Sequence, residues 1–334
     1  MTSALHDTQK SPFYRIPETA NAIGLDIGGT KISAARVSLK NGMTEFSRVD
    51  TPQHGQAFVE AIEGLVRPLQ ESAHAAPLCL GIASAGTINS DTGEIFGATG
   101  NLPALREIGP LRQTLEKHLG IPVYLENDAN AAAYGEARMG AAKGHSEMLM
   151  VTLGTGVGTG FLIHDHMVRG AHFSAGEGGH ICISMNQDRL CTCGKWDCWE
   201  TYASGTGLAE TARRQLAVAP NAEGSLILMA AGTIAQVTTH HVIDAFKNKD
   251  FIAQEIMDIW HKHIGTGLGS LLNVLDPQIT VIGGGMAQFV DYAKLLAFTR
   301  ERAMYRDVQL VPAQLGNQAG IMGAALLALA RVFE

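Results

Sequence analysis

Apolar and polar positions follow different rhythms along the chain, and those rhythms predict most of its elements. From residue 22, AIGLDI is a short apolar run ending at Asp26, and ISAARVS resumes after a Gly-Gly-Thr turn. Two apolar runs across a glycine turn predict a β–turn–β hairpin over 22–38, not the strand–turn–helix of a dinucleotide fold. Between 57 and 71, Phe58, Ile62, Leu65, Val66 and Leu69 recur with the period of a helix. PLCLGIAS at 77–84 reads as a strand, 85–103 as loop and 110–119 as a helix. IPVYLEN at 121–127 is a strand that runs straight into an alanine-rich helix at 129–140. EMLMVTLGTGVGTGFLIHDHMV at 147–168 repeats the opening pattern, with Gly154-Thr155-Gly156 at the turn. Two such hairpins, about 130 residues apart, predict an internal duplication. Residues 206–275 are mainly helical in pattern. The helix at 254–275 puts Ile256, Trp260, Ile264, Leu268, Leu271 and Leu275 on one face, which suits a core or a dimer contact. A strand at 278–286 ends in three glycines. The apolar helix at 316–333 carries Gly320 and Gly323, small enough for tight packing.

Composition narrows the class. The 334 residues suffice for two domains, and 46% hydrophobic with 17% charged residues suits a globular protein. No apolar run reaches the roughly 18 residues of a membrane helix. The first twenty residues are polar without an apolar signal core and read as a loose tail. A net charge of -7 argues against a nucleic-acid-binding surface. The five cysteines are odd in number and do not form a disulfide framework, which places the chain in a reducing cytoplasm. Cys79 lies in an apolar strand and reads as a core thiol. Cys182, between Ile181 and Ile183, reads as core or strand.

The densest chemistry lies between 174 and 205. Cys191, Cys193 and Cys198 fall within eight residues, and His180 precedes them. Three thiolates and an imidazole make a tetrahedral zinc set, and a closed four-ligand site is structural. Glu177 and Glu200 bracket it, so the metal is expected to shape a loop that presents Glu177, His180 and Glu200. In the first hairpin, Gly28 and Gly29 allow backbone amides to approach a phosphate, Thr30 adds a hydroxyl, and Asp26 suits a magnesium ion. An ordinary glycine hairpin explains the same residues. Asp128, at a strand-to-helix junction, is either the helix N-cap or a general base, with Asn127 placed to orient a hydroxyl. Asn101 sits in a turn before Leu102-Pro103, and its amide serves turn or ligand. Gly284 ends a strand where a flat ligand such as adenine, or merely a tight turn, needs room. His240 and His241 have no metal-ligand spacing and read as surface residues.

GLDIGGTK, LENDANAAAYGE, LGTGVGTG, GEGGH with CTCGKWDCWE, VIGGG and GNQAGIMGAA together resemble the ROK family of sugar kinases, repressors and related proteins. The likeness covers residues 21–333, and the cysteine cluster behind Glu-x-x-His is its most specific part. It implies the actin-like ATPase (ribonuclease H-like) fold, two α/β domains around a cleft. The division expected is a domain over 21–130, completed by the helix at 318–334, and a second over 131–317 with the zinc loop at 177–200. It also implies that Asp128 is the base accepting the proton of the sugar hydroxyl that attacks the ATP γ-phosphate. Asn101, Asn127, Glu177, His180 and Glu200 match positions that hydrogen-bond the sugar. His180 is implied to serve both zinc and sugar, one ring nitrogen each. Asp26 to Lys31 and Gly154 to Gly156 match the two phosphate turns, and Gly284 the adenosine site. Three departures stand out: Asp197, preceded by Trp196, replaces the usual glycine before the third cysteine; Ala104-Leu105 follow Asn101-Leu102-Pro103 in place of Gly-Trp; and Ala83-Ser84-Ala85-Gly86 replaces Gly-x-Pro-Gly.

The function implied is ATP-dependent phosphorylation of a hexose 6-hydroxyl, with ATP, Mg2+ and structural Zn2+. Glucose is the first expectation, because the Glu-Asn-Asp-Ala-Asn and Glu-x-Gly-His runs are most similar to those of the family's glucokinases. N-acetylmannosamine, N-acetylglucosamine and fructose are the alternatives. A sugar-responsive repressor is the rival class. About twenty residues precede the first phosphate turn, too few for the family's helix-turn-helix domain. A non-catalytic sugar-binding scaffold would not need Asp128 and both turns intact. A homodimer without nucleic-acid or membrane partners is the expected assembly.

Overall fold

The opening hairpin forms. Asn21–Ile27 (β1) and Lys31–Ser38 (β2) pair antiparallel, with Asp26 opposite Ser33. Gly42–Asp50 (β3) adds an edge strand whose side chains are mostly exposed, so no apolar alternation announces it. The structure is a computed structural model that describes residues 15–72, 75–96, 102–219, 222–305 and 307–334. Gly55–Glu71 (α1), Leu80–Ser84 (β4), Leu111–Leu119 (α3) and Val123–Asn127 (β7) fall where the pattern puts them.

The stretch 85–103 is not all loop. Thr87–Asn89 (β5) and Glu94–Phe96 (β6) form a small hairpin, followed by the short helix Ala104–Glu107 (α2). Asn89 Oδ1 closes its turn by accepting the N–H groups of Asp91 at 3.0 Å and Thr92 at 3.1 Å. Strands of three residues are too short to display a period of two.

The first sheet runs β3-β2-β1-β4-β7, with β1, β4 and β7 parallel. Its faces are covered differently. On one side Phe58, Ile62 and Val66 of α1 and Leu115 of α3 join Ile23, Leu25 and Ile82 in a core. Each such side chain contributes about 2 kcal/mol by leaving water. The other side meets backbone at close range. A Cβ on Gly24 would stand 2.1 Å from the Ile321 carbonyl, and one on Gly81 2.0 Å from that of Ala324. Those carbonyls belong to Ala319–Val332 (α11), which also packs on Asp128–Met139 (α4).

The second sheet runs β10-β9-β8-β11-β12. It comprises Met148–Leu153 (β8), Val157–Ile163 (β9), His166–Met167 (β10), Ile279–Gly283 (β11) and Leu310–Pro312 (β12). Glu200–Ala203 (α5), Gly205–Val218 (α6), Leu226–Ala231 (α7), Thr239–Lys247 (α8), Phe251–Leu275 (α9) and Tyr292–Arg300 (α10) complete the helices among the described residues. In α9, Ile256, Trp260, Ile264 and Leu268 are buried, while Leu271 and Leu275 are half-buried and Leu272 is buried instead. Trp260 Nε1 donates to the Ala203 carbonyl at 2.8 Å, so most of the stripe is core. His241 is more than a surface residue: its Nδ1 accepts the Thr238 N–H and its own N–H donates to Thr238 Oγ1, closing a capping box on α8.

The chain forms two compact units. Of the described residues, unit 1 holds those up to Met150, Gly160–Gly176 and Ala313–Glu334; unit 2 holds those of Val151–Thr159 and Glu177–Pro312. Among the described residues no helix is long and apolar enough to cross a membrane.

Candidate active site

In unit 1 the candidate residues collect at the carboxyl ends of three adjacent parallel strands. The register sets Asp26 beside Ala83, Ile27 beside Ser84, and Ser84 beside Asn127. Ligands of α/β sheets bind at such strand ends. Asp26 is half-buried, and burial, followed by the nearby charge of Asp128, pushes its pKa up to about 6. Gly28 closes the turn through its N–H to the Lys31 carbonyl at 2.9 Å, and Thr51 Oγ1 donates to the Gly28 carbonyl at 2.7 Å. Gly29 and Thr30 stand exposed at the tip. Lys31 pairs with Asp50 of β3.

The helix α4 has a cap, but it is not Asp128. Asn127 Oδ1 accepts the N–H groups of Ala129 at 2.9 Å and Asn130 at 3.1 Å, and its Nδ2 donates to the Gly86 carbonyl at 3.1 Å. Asp128 is the first helical residue. It accepts from Ala129 N–H at 2.8 Å and keeps its side chain reachable from solvent. Desolvation by the surrounding protein raises its pKa, partly offset by backbone N–H bonds from Ala129 and Asp128 itself. An accessible carboxylate with raised basicity at a rigid strand end can take a proton.

Beneath this junction lies a pair that sequence reading missed. Glu126 is buried, and its Oε1 accepts the Asn127 N–H at 3.1 Å and Asn130 Nδ2 at 3.0 Å. Its Oε2 meets Arg169 through both Nε and Nη2 at 2.7 Å. A glutamate inside the apolar VYLEN strand was the available signal. Asn101 lies outside the described residues.

In unit 2 the other candidates converge on Glu200. Its Oε2 lies where a Cβ on Gly156 would stand 2.6 Å away, and 3.5 Å from Val157 N. Its Oε1 accepts from Cys191 Sγ at 3.1 Å. One side chain therefore links the second glycine turn to the cysteine cluster. The turn is tied further by Gly205 N–H to the Gly154 carbonyl at 2.8 Å and by Thr206 Oγ1 to the Thr155 carbonyl at 2.8 Å. Gly284, at φ +85°, lies against β8, where a Cβ would stand 2.4 Å from the Leu153 carbonyl, so this crossing requires glycine.

Ligand atoms of His180, Cys191, Cys193 and Cys198 all lie within 4.8 Å of one another. His180 Nδ1 is 3.6 Å from Cys191 Sγ, and Nε2 faces Glu177 Oε2 at 3.8 Å. Burial pushes the Cys191 thiol up, and Glu200 beside it adds to the push. A divalent cation relieves that crowding by taking the sulfurs as thiolates, so the donor set fits zinc. Cys79 is buried as expected, whereas Cys182 is exposed: Ile181–Ile183 runs along the surface of the cysteine loop, not through a core.

Asp197 explains how the loop accepts its departure. It adopts φ +56°, the conformation a glycine takes most readily. Its buried carboxylate accepts the N–H groups of Gln187 at 2.7 Å, Asp188 at 3.0 Å and Arg189 at 2.9 Å, and the Tyr202 hydroxyl at 2.7 Å. Burial alone would raise its pKa; the bonds from Tyr202, Arg189, Gln187 and Asp188 outweigh it and hold the pKa below the usual carboxylate value.

Residues 22–331 match the ROK family. The chain belongs to that family. The glucokinase of Streptomyces coelicolor is 34% identical over 92% of this chain and 96% of its own length. The crystal structure of a ROK glucokinase from Streptomyces griseus in complex with glucose and AMPPNP is 33% identical, with a TM-score of 0.74 over 92% of this chain and 99% of that one. The ROK hexokinase of Thermus thermophilus is 30% identical, with a TM-score of 0.80 over 93% and 99%. With these neighbours, the ROK chain has the actin-like ATPase fold.

Proposed function

We propose that this ROK protein transfers the γ-phosphoryl group of ATP to the 6-hydroxyl of glucose. The observation that carries the reading is Asp128, an accessible, pKa-raised carboxylate on an end rigidly held by Asn127 and Glu126. The family relatives that are glucokinases support the substrate.

Asp128 takes the proton of the attacking hydroxyl, which sharpens the nucleophile as the bond to phosphorus forms. Asn127 keeps one amide hydrogen beyond its bond to Gly86 for a sugar hydroxyl. Asn101, Glu177, His180 and Glu200 supply further partners, since every buried hydroxyl of a sugar needs one. The turns at Asp26–Lys31 and Gly154–Gly156 hold phosphates through their outward amides, the Gly28 and Gly154 N–H groups being used to close the turns, and Gly284 leaves room for the adenosine. Asp26 holds Mg2+, which when bound neutralises charge on the phosphates. His180, Cys191, Cys193 and Cys198 hold Zn2+, which when bound fixes the loop geometry and takes no chemical part. Glu200 and the Nε2 edge of His180 then stand where that loop sets them. A cytoplasmic homodimer without nucleic-acid partners completes the reading.

A coupled ATP-turnover assay across glucose, mannose, fructose and the N-acetylhexosamines tests it. Glucose is expected to give the highest kcat/KM. A preference for N-acetylmannosamine, N-acetylglucosamine or fructose would reassign the substrate, and no turnover with any sugar would turn the reading towards a sugar-responsive repressor or scaffold.

A further inference from the structure

Of the two thiols outside the metal set, Cys182 lies directly across from it. Cys182 and Cys198 form an isolated antiparallel bridge. The bonds that flank them run from Trp199 N–H to the Ile181 carbonyl at 2.8 Å and from Ile183 N–H to the Asp197 carbonyl at 3.1 Å. The two cysteines are therefore a non-hydrogen-bonded cross-strand pair, the kind whose Cα atoms stand about 4.5 Å apart with side chains on one face. That spacing falls within the range a disulfide bridges, about 4.4–6.8 Å. Cys182 is exposed, with its thiol on the Ser184 carbonyl at 2.7 Å. Cys198 is buried, with its sulfur 3.6 Å from that of Cys193. Rotation about side-chain bonds brings the sulfurs together without moving the strands.

We propose that Cys182 and Cys198 are an oxidation site: hydrogen peroxide closes a disulfide between them, and closure withdraws one ligand from the metal set. The Cys182 thiolate attacks a peroxide oxygen. The S–O bond forms, the O–O bond breaks, and the leaving hydroxide departs as water after taking up a proton. The Cys198 thiolate then attacks the sulfenic sulfur. The S–S bond forms, the S–O bond breaks, and the second hydroxide leaves as water after protonation. Two electrons pass from the sulfurs to the peroxide. The remaining His180, Cys191 and Cys193 hold the metal more weakly, and a dithiol reductant restores the fourth ligand. The consequence for catalysis rests on the proposed kinase reading, through the placement of His180 and Glu200; the disulfide itself does not.

The test treats the purified full-length protein with hydrogen peroxide and reads two quantities that need no enzymatic activity. Peptide mapping under non-reducing conditions locates disulfides, and a chromogenic chelator reports released zinc. The expected result is a Cys182–Cys198 linkage formed together with zinc release, both reversed by dithiothreitol. In Cys182→Ser the linkage is absent and release is several-fold slower. Cys182→Val, which matches the apolar neighbours of that strand, serves as a second variant should the serine perturb folding. First-formed disulfides confined to Cys191, Cys193 and Cys198, or equal zinc release from the wild type and both variants, would overturn the proposal. A protein that maps this disulfide yet phosphorylates no sugar would refute the kinase reading and leave the oxidation site standing.

Discussion

Asp197 and Arg189 hold each other twice, once backbone to backbone and once through a carboxylate: Asp197 N–H donates to the Arg189 carbonyl at 2.8 Å, and Arg189 N–H donates to Asp197 Oδ1 at 2.9 Å. The Arg189 guanidinium then reaches the carbonyls of Thr201 at 2.7 Å and Gly207 at 3.2 Å, and lies over the Tyr202 ring at 4.1 Å. The cysteine loop is thereby fastened to α5 and α6 independently of any metal. Asp197→Asn is expected to destabilise the fold by roughly 1–3 kcal/mol, because its amide nitrogen at the Oδ2 position would face the Gln187 N–H while a neutral oxygen replaces the charged acceptor of Asp188, Arg189 and Tyr202. Asp197→Gly relieves the positive φ and still loses these bonds, so it is no rescue. Urea unfolding of both variants checks this; stability equal to wild type in either would refute it.

Asp128→Asn is expected to lower kcat by about 10²–10⁴ while the sugar dissociation constant stays within a few-fold of wild type. The amide keeps the size and the bond to Ala129 N–H, so the junction survives, but it cannot take a proton. Steady-state kinetics with calorimetric sugar titration separates the two effects. Undiminished kcat would remove Asp128 from the mechanism.

Much of this was legible in the sequence, for identifiable reasons. The glycine hairpins, α9 and α11 carry strong local patterns, and the cysteine cluster brings its ligands within a short stretch of chain. What escaped was non-local or cryptic. β3 is an exposed edge and shows no apolar alternation. Asn127, not Asp128, caps α4; both are favoured N-cap types, so one-residue placement depends on backbone dihedrals. The Glu126–Arg169 pair joins positions 43 residues apart in sequence, which no local pattern announces. Cys182 read as core or strand; it pairs with Cys198 in an isolated bridge but is exposed, because alternation with isoleucines cannot distinguish a buried strand from a surface ribbon.

Metal analysis is expected to find about one zinc per chain, lost in Cys193→Ala, since three ligands hold the ion less tightly than four. Because Glu200 spans Cys191 and the Gly156 turn, metal loss is also expected to raise KM for ATP and sugar together. Fully active, metal-free wild-type protein would contradict a structural zinc.

Arg169→Gln leaves Glu126 buried with half of its partners gone. A broken buried pair costs about 3–5 kcal/mol, and the loss falls on the carboxylate that fixes Asn127 and Asn130. Both melting temperature and kcat are expected to fall, and Arg169→Lys should restore only part, since an ammonium cannot reproduce the two-nitrogen contact. A kcat unchanged in Arg169→Gln would show that this pair does not position the base.

His263 supplies an acid-sensitive point beside Tyr202. Burial first, and the charge of Arg189 second, lower its pKa from 6.5 to about 4. The folded protein therefore binds fewer protons at this site than the unfolded chain between those values, so stability rises with pH across the window. It is complete above about 6.5 and is lost as pH falls towards 4, by at most about 3 kcal/mol. The ring also packs edge-on against Tyr202, with centroids 5.1 Å apart, so protonation strains the same Tyr202–Asp197 contact that anchors the cysteine loop. Replacing His263 by Gln removes the titrating group while keeping a polar side chain of similar reach. Melting temperatures of wild type and His263→Gln measured from pH 7 to pH 4.5 should converge as the pH drops, the wild type losing more. Parallel curves would show that His263 does not set the acid limb of stability.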